Sequence, residues 1–285
     1  MQLPDLTTFL DSPRADVAAL APQTAIVSVN GTRRSAALAG VTPHTDAYAE
    51  WSRQGMLAYM DLLFGHGIRN VFAAAVIAPN MIEFAHYRER FLGWIAHGLA
   101  GQHALADYAR RGWRVRISGA DAIPELQNAA ETLVAATPDR WEHTLWWTVT
   151  PSDDAPWDAV LSAGARTRAE AIRALYGEDI PLATMFISFG KPIVIYDLIP
   201  PLLVDRLQCY WIMRPGYRLD EPMLRHILYD YAYTRKTGSG PSWSERYANL
   251  GIQRGAWSTQ AVLGVGQRMG PFWYPVPFPQ AEDLR

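Results

Sequence analysis

The sequence predicts a single α/β domain with a mostly parallel central sheet flanked by helices. Three observations predict it. Short β-prone runs alternate with helix-patterned segments along most of the chain. One of those runs, Val71 to Ile77, is apolar without alternation, the pattern of a strand buried on both faces. No internal repeat or interdomain linker interrupts the 285 residues, a length that can bury a sizeable core.

Residues 1–24 carry prolines and acidic residues and read as an irregular N-terminal arm with one short helix. The domain proper runs over 25–285. Ala25 to Val29 is β-prone and stops at Asn30-Gly31, a turn signal. From Asp46 to Gly65 the apolar residues Tyr48, Trp51, Met56, Tyr59, Met60 and Leu63 recur at helical spacing, and Gly65 and Gly67 end the pattern. After the strand at 71–77 a helix is expected over 81–109, with a break near Gly98 and Gly101. Trp113 to Ile117 reads as a strand, Pro124 to Ala136 as a helix and His143 to Val149 as a strand. A loop over 150–156 follows, then a helix over 165–176 and a short strand, Met185 to Ser188, ending at Gly190. Leu207 to Met213 reads as a strand and Pro222 to Arg235 as a helix. The tail from about Thr237, rich in Gly, Ser, Trp and Pro, is expected to wrap over the surface or onto a partner subunit.

Composition excludes several classes of function. A formal net charge of -2 gives no reason to expect a nucleic-acid partner. The single cysteine, Cys209, rules out an internal disulfide framework and sits in an apolar run, as a buried structural thiol does. His-x-x-His and His-Glu-x-x-His patterns are absent, which argues against a zinc enzyme. With no signal pattern and no apolar run long enough to span a bilayer, a cytoplasmic protein without an integral membrane segment is expected. Eleven Trp and 13 Tyr exceed ordinary core needs. They fit either aromatic packing and an interface, or a pocket whose π-faces meet a large apolar or cationic species.

The segment Asn30-Gly31-Thr32-Arg33-Arg34 carries the chemistry. It follows the first strand, and ligands of open α/β sheets sit at the carboxyl ends of strands. Gly31 lets backbone come close to a ligand, Thr32 offers a hydroxyl, and free amides after a strand can face an anion. Arg33 and Arg34 add permanent charges with forked donors suited to phosphate oxygens. The bland alternative is a turn followed by two solvated arginines.

Val29-Asn30-Gly31-Thr32-Arg33-Arg34 resembles the Asp-Gly-Asn-Arg-Arg-Trp signature of cis-prenyltransferases, the undecaprenyl diphosphate synthase-like fold. It is closer still to the Asp-Gly-Thr-Arg-Arg form of tuberculosinol-synthase-like diterpene synthases. Leu63 to Ile68, Met185 to Gly190, Leu224 to Tyr231 and Gly264 to Gly266 resemble later stretches of that family in order and spacing. The resemblance implies a cis-prenyltransferase-like fold, a prenyl diphosphate substrate and a homodimer. It assigns diphosphate binding to Gly31, Thr32, Arg33 and Arg34, and catalytic positions to Asn30 and Tyr48. Tyr48 would orient water, relay a proton or face a cation; a packing role at the helix start is the alternative. Glu83 falls where the relatives have an acidic cluster, so a metal or base role attaches to it.

Two departures bear on the activity. Asn30 replaces the signature aspartate, and a neutral amide is a poor Mg²⁺ anchor, so the Mg²⁺ that the resemblance implies stays open. The Arg-x-Ser-Gly-Glu stretch of chain-elongating enzymes reads Ile187-Ser188-Phe189-Gly190-Lys191 here, which favours a terpene synthase over an elongator. The expected reaction is ionisation of an allylic, bicyclic diterpenyl diphosphate, with the cation captured by water or losing a proton. The alternatives are prenyl transfer, by cis elongation or to a nucleoside, and an inactive partner subunit. Asp153-Asp154 is expected to be solvated, and Trp146-Trp147 and Phe272-Trp273-Tyr274 to line the pocket or an interface.

Overall fold

Where the strand-forming runs end decides where a ligand can sit. The computed structural model describes residues 5–43, 45–83, 88–190, 200–212, 214, 216–234, 267–269 and 272–274. Its six principal strands are β1 (Thr24–Ser28), β2 (Asn70–Val76), β3 (Trp113–Ser118), β4 (His143–Val149), β5 (Ala183–Phe189) and β6 (Val204–Ile212). They form one sheet in the order β3-β4-β2-β1-β5-β6, and every pairing is parallel. β1 pairs with β2 on one side and β5 on the other, with Val27 opposite Ala73 and Ile187. The chain therefore reverses its direction of winding at β1, and the crevice at the carboxyl end of such a strand is the usual ligand position.

All five residues of β1 are buried, as a central parallel strand requires. Ile26 faces Phe72, Trp146 and Phe186 in one core. Ala25 and Val27 face the other, larger core with Leu57, Met60 and Leu63. Trp146 and Trp147 are consecutive strand residues and so serve opposite cores. Trp146 stacks on Phe72 at 5.6 Å between ring centroids. The pair is core, not the interface or pocket lining expected from sequence.

Helix α4 (Asp46–Gly65) covers the larger core. Thr45 caps it, its hydroxyl accepting from the Tyr48 amide at 3.2 Å. At its far end His66 is fully buried, with Nδ1 against the Leu62 carbonyl at 2.8 Å and Nε2 3.3 Å from Glu221. Glu221 begins α11 (Glu221–Tyr229) and also meets Arg14 and Arg225. Burial alone would raise its carboxyl pKa, but the bonds from those two arginines lower it on balance.

Several elements differ from the sequence expectation. Residues 6–18 hold two short helices, α1 (Leu6–Leu10) and α2 (Arg14–Ala18), where one was expected. Phe9 of α1 packs edge-on to Tyr229 at 5.3 Å, so this segment contributes to the core. The segment after Gly31 is a helix, α3 (Thr32–Leu38), rather than a loop. The single helix expected over 81–109 is three, α5 (Ala78–Glu83), α6 (Arg88–Ala100) and α7 (Gln102–Arg111), with Gly101 capping the last as its break signal suggested. α8 (Pro124–Ala135) lies where expected, and the loop expected over 150–156 passes into α9 (Ala155–Ser162) before α10 (Arg168–Tyr176). Asp153 and Asp154 are exposed. In the tail, β7 (Gln267–Met269) and β8 (Phe272–Tyr274) pair antiparallel; the side chains expected there to line a pocket lie outside the described residues.

Candidate active site

Strand β1 delivers Asn30 and Gly31 to the carboxyl edge of the sheet. Gly31 adopts φ +84°, a left-handed conformation that side chains disfavour, and begins α3. The glycine has a second reason. A Cβ at this position would stand 2.9 Å from Arg34 Nη2 and 3.3 Å from Cζ. The Arg34 guanidinium therefore folds back over the loop backbone, and a side chain at this position would push it aside. Arg34 is half-buried, whereas Arg33 is exposed. The two arginines are thus unlike: one is laid against the loop and the other faces outward from α3.

Thr32 is tied to Tyr48 by a bond of 2.7 Å between their hydroxyls. Two hydroxyls carry two protons and their shared bond uses one. The other remains free to donate to an anion or a water, whichever residue is the donor. Tyr48 stacks on Trp51 at 6.4 Å, and Trp51 meets Tyr217 edge-on at 5.7 Å. The Tyr217 hydroxyl bonds to Ser52 at 2.7 Å. Burial pushes the Tyr217 phenol far above its ordinary pKa, so it stays a neutral hydroxyl. Tyr48, Trp51, Ser52 and Gly55 form one stripe of α4 at three-to-four spacing.

The turn after β6 closes the site from the other side. Gly216 donates its amide to the Asn30 carbonyl at 2.9 Å and accepts from the buried Ser35 hydroxyl at 2.8 Å. Asn30, Gly31, Thr32, Arg34 and Tyr48 are therefore brought together. Ser35, Ser52, Gly216 and Tyr217 join them without having been picked out from the sequence. The Pro215-Gly216 dipeptide, a turn signal directly after a strand, was the one local cue to the last two.

On its opposite side α4 is charged. Asp107 of α7 receives Arg53 of α4 together with Arg110 and Arg111. Burial would raise the Asp107 pKa, but the three guanidinium groups outweigh it and the net direction is down. Arg53 also bonds to Glu50 at 2.6 Å and, against a smaller opposing effect of burial, holds that carboxyl at about 2.

The donors described around the loop do not suit a divalent cation held by the protein. Asn30, Thr32 and Tyr48 offer neutral oxygens and Arg34 brings positive charge, while Mg²⁺ takes carboxylate oxygens from a protein. Asp46, two residues before Tyr48, accepts from Trp94 Nε1 at 3.2 Å. Among the described residues no three His, Cys, Asp or Glu side chains gather into a metal-binding group. Glu83 ends α5, and its side chain lies outside the described residues.

No family model matches the chain. Among curated proteins, it is 41% identical over 278 residues to a (+)-kolavelool synthase of Herpetosiphon aurantiacus, covering 95% of this chain and 96% of that one. It is 27% identical over 300 residues to a tuberculosinyl adenosine transferase of Mycobacterium tuberculosis, covering 96% and 99%. Two solved structures share the fold. One is a lavandulyl diphosphate synthase from Lavandula x intermedia in complex with dimethylallyl diphosphate. It has a TM-score of 0.58 at 13% identity, covering 75% of this chain and 97% of that one. The other is a probable undecaprenyl diphosphate synthase from Campylobacter jejuni, with a TM-score of 0.53 at 12% identity and coverage of 76% and 98%.

Proposed function

The chain belongs to the kolavelool synthase-like family of diterpene synthases, and from that premise we propose that it ionises an allylic, bicyclic diterpenyl diphosphate. The carbon–oxygen bond breaks heterolytically and its electron pair leaves with the diphosphate. The allylic cation then forms a carbon–oxygen bond to water, which loses a proton, or loses a proton from a neighbouring carbon to give an alkene.

The observation that carries this reading is the guanidinium of Arg34 folded over Gly31 at the carboxyl end of β1. A fixed cation stabilises charge developing on a departing anion without reorganising as it forms. The free proton of the Thr32–Tyr48 pair supplies a neutral donor beside it. Tyr48 and Trp51 present π-faces that suit a carbocation and exclude water, with Tyr217 packed edge-on behind Trp51. Arg33 meets the outer oxygens of the diphosphate as it approaches. A Mg²⁺ ion would be held by the diphosphate oxygens and not by Asn30. We further infer a homodimer, which sedimentation velocity tests, and a cytoplasmic location, which cell fractionation tests. No helix among the described residues is long and apolar enough to cross a membrane.

The likeness to a tuberculosinyl adenosine transferase favours one second reading, capture of the cation by a nucleoside nitrogen. Purified protein incubated with geranylgeranyl and bicyclic diterpenyl diphosphates separates these readings, with and without adenosine or isopentenyl diphosphate. Diphosphate release with a diterpene alcohol or hydrocarbon is expected. A product formed only with adenosine supports the transferase. A longer prenyl diphosphate formed only with isopentenyl diphosphate overturns the synthase.

A further inference from the structure

Among the described residues Tyr217 is the one residue other than glycine with a positive φ, +66°. A turn that needed only this backbone conformation would be served better by glycine, asparagine or aspartate. A bulky aromatic is held there only when surrounding contacts over-determine it, and such residues cluster at functional sites. Three contacts from one stripe of α4 hold Tyr217. Its hydroxyl bonds to Ser52 at 2.7 Å, and its ring meets Trp51 edge-on at 5.7 Å. The ring also fills a slot at Gly55, where an added Cβ would stand 2.8 Å from Cδ2 and 3.0 Å from Cγ.

The residue before it is pressed onto the diphosphate loop. A Cβ on Gly216 would lie 2.9 Å from both the Asn30 carbonyl oxygen and Val29 Cγ1. The Gly216 peptide already bonds to Asn30 and to Ser35 of α3. From Tyr217 the contacts run through Trp51 to Tyr48 and back to the loop at Thr32. The circuit is closed: loop, β6 turn, α4 and loop again.

We propose that Tyr217 is a positioning residue, keyed into the slot at Gly55, that sets the Asn30–Ser35 segment through Gly216 and the Tyr48 hydroxyl through Trp51 in the geometry that grips the diphosphate. The inference rests on the diphosphate reading of that loop and deepens it. Tyr217 acts through other residues. Removing its ring leaves the loop sequence intact but lets both of its supports drift, and small misplacements of positioned groups reduce rate disproportionately.

The test uses the full chain with Tyr217→Gly, Tyr217→Phe and Gly55→Ala. Binding of inorganic diphosphate is read by calorimetry, alongside kcat, KM and the ratio of alcohol to hydrocarbon product. Tyr217→Gly, which relieves the backbone, is expected to fold, weaken diphosphate binding by about fivefold, lower kcat by about tenfold and shift the product ratio. Tyr217→Phe keeps the ring in its slot and should return affinity and kcat to within about twofold of the native protein. Gly55→Ala displaces the ring from the helix side and should reproduce part of the Tyr217→Gly defect; it decides the matter should Tyr217→Gly not fold. A folded Tyr217→Gly protein with unchanged diphosphate affinity and product ratio overturns the proposal, as does a native Gly55→Ala profile. If the native protein binds inorganic diphosphate but turns over no diterpenyl diphosphate, the synthase reading falls while the affinity comparison still judges Tyr217. If it binds no diphosphate, the loop reading and this inference fall together.

Discussion

The two sides of α4 are built from different chemistry. Toward the β1 loop it presents Tyr48, Trp51, Ser52 and Gly55, whose polar contacts are neutral hydroxyl pairs at 2.7 Å. Toward α7 it presents Arg53, paired with Glu50 on its own helix and with Asp107 of α7, where Arg110 and Arg111 also meet. An ion network is stiff but fills its surroundings with fixed charge; hydroxyl pairs and aromatic edges position without doing so. The charged side thus ties α4 to α7, while the other side, among the described residues, offers Arg33 and Arg34 of α3 as cations for a diphosphate and π-surface for a carbocation.

The largest expected effect probes the charged side. Asp107→Ala takes from the largely buried Arg53 one of its two carboxylates, leaving only the half-exposed Glu50, and should destabilise the fold by about 3 kcal/mol. Chemical denaturation measures this, while kcat of the folded protein should stay within about twofold. A comparable loss of kcat would erase the distinction between the two sides. Arg34→Ala should do the reverse, lowering kcat/KM by about a hundredfold with little change in unfolding midpoint. Arg33→Ala, at an exposed position, should lower it by about tenfold or less, mainly through KM. Equal losses at both would show that folding back over Gly31 confers nothing. Tyr48→Phe removes one hydroxyl of the pair and should slow turnover by about tenfold while changing the ratio of alcohol to hydrocarbon. An unchanged ratio would restrict Tyr48 to packing.

A smaller effect comes from acid. The folded pKa values of Glu50, Asp107 and Glu221 lie below their ordinary values. Their stabilisation is therefore complete above the ordinary carboxylate pKa and is lost as pH falls through the folded values. The thermal midpoint should decline from about pH 4.5 toward about 2, with Glu50 contributing modestly because it is half exposed. Replacing Asp107 should flatten that decline. The smallest expected change is Asn30→Asp, which adds one carboxylate beside the loop and should make the rate about threefold more responsive to Mg²⁺.

How much was legible follows from how far each cause reaches along the chain. Strand positions, the termination of α4 near Gly65 and the break at Gly101 were readable because periodicity and turn residues act over a few neighbours. α3 was hidden by its own sequence. Thr32-Arg33-Arg34-Ser35 follows an Asn-Gly turn signal and carries no apolar stripe until Ala36, so it read as loop. Trp146 and Trp147 read as pocket or interface lining because a sequence shows an aromatic pair without showing that consecutive strand residues enter opposite cores. Beyond the Pro215-Gly216 turn before it, Tyr217 gave no signal, since its bond to Ser52 spans 165 residues.

By itself the sequence determined a parallel α/β sheet and a Gly-Thr-Arg-Arg segment placed at a strand end, because both depend on local propensity and on the chemistry of single residues. Only the tertiary structure decided that Arg34 and not Arg33 folds over the glycine, that Tyr48 shares a proton with Thr32, and that Tyr217 adopts a backbone conformation its side chain disfavours. Each of these depends on contacts between segments that meet only after the strands have paired, and a local disfavour is sustained only by contacts of that kind.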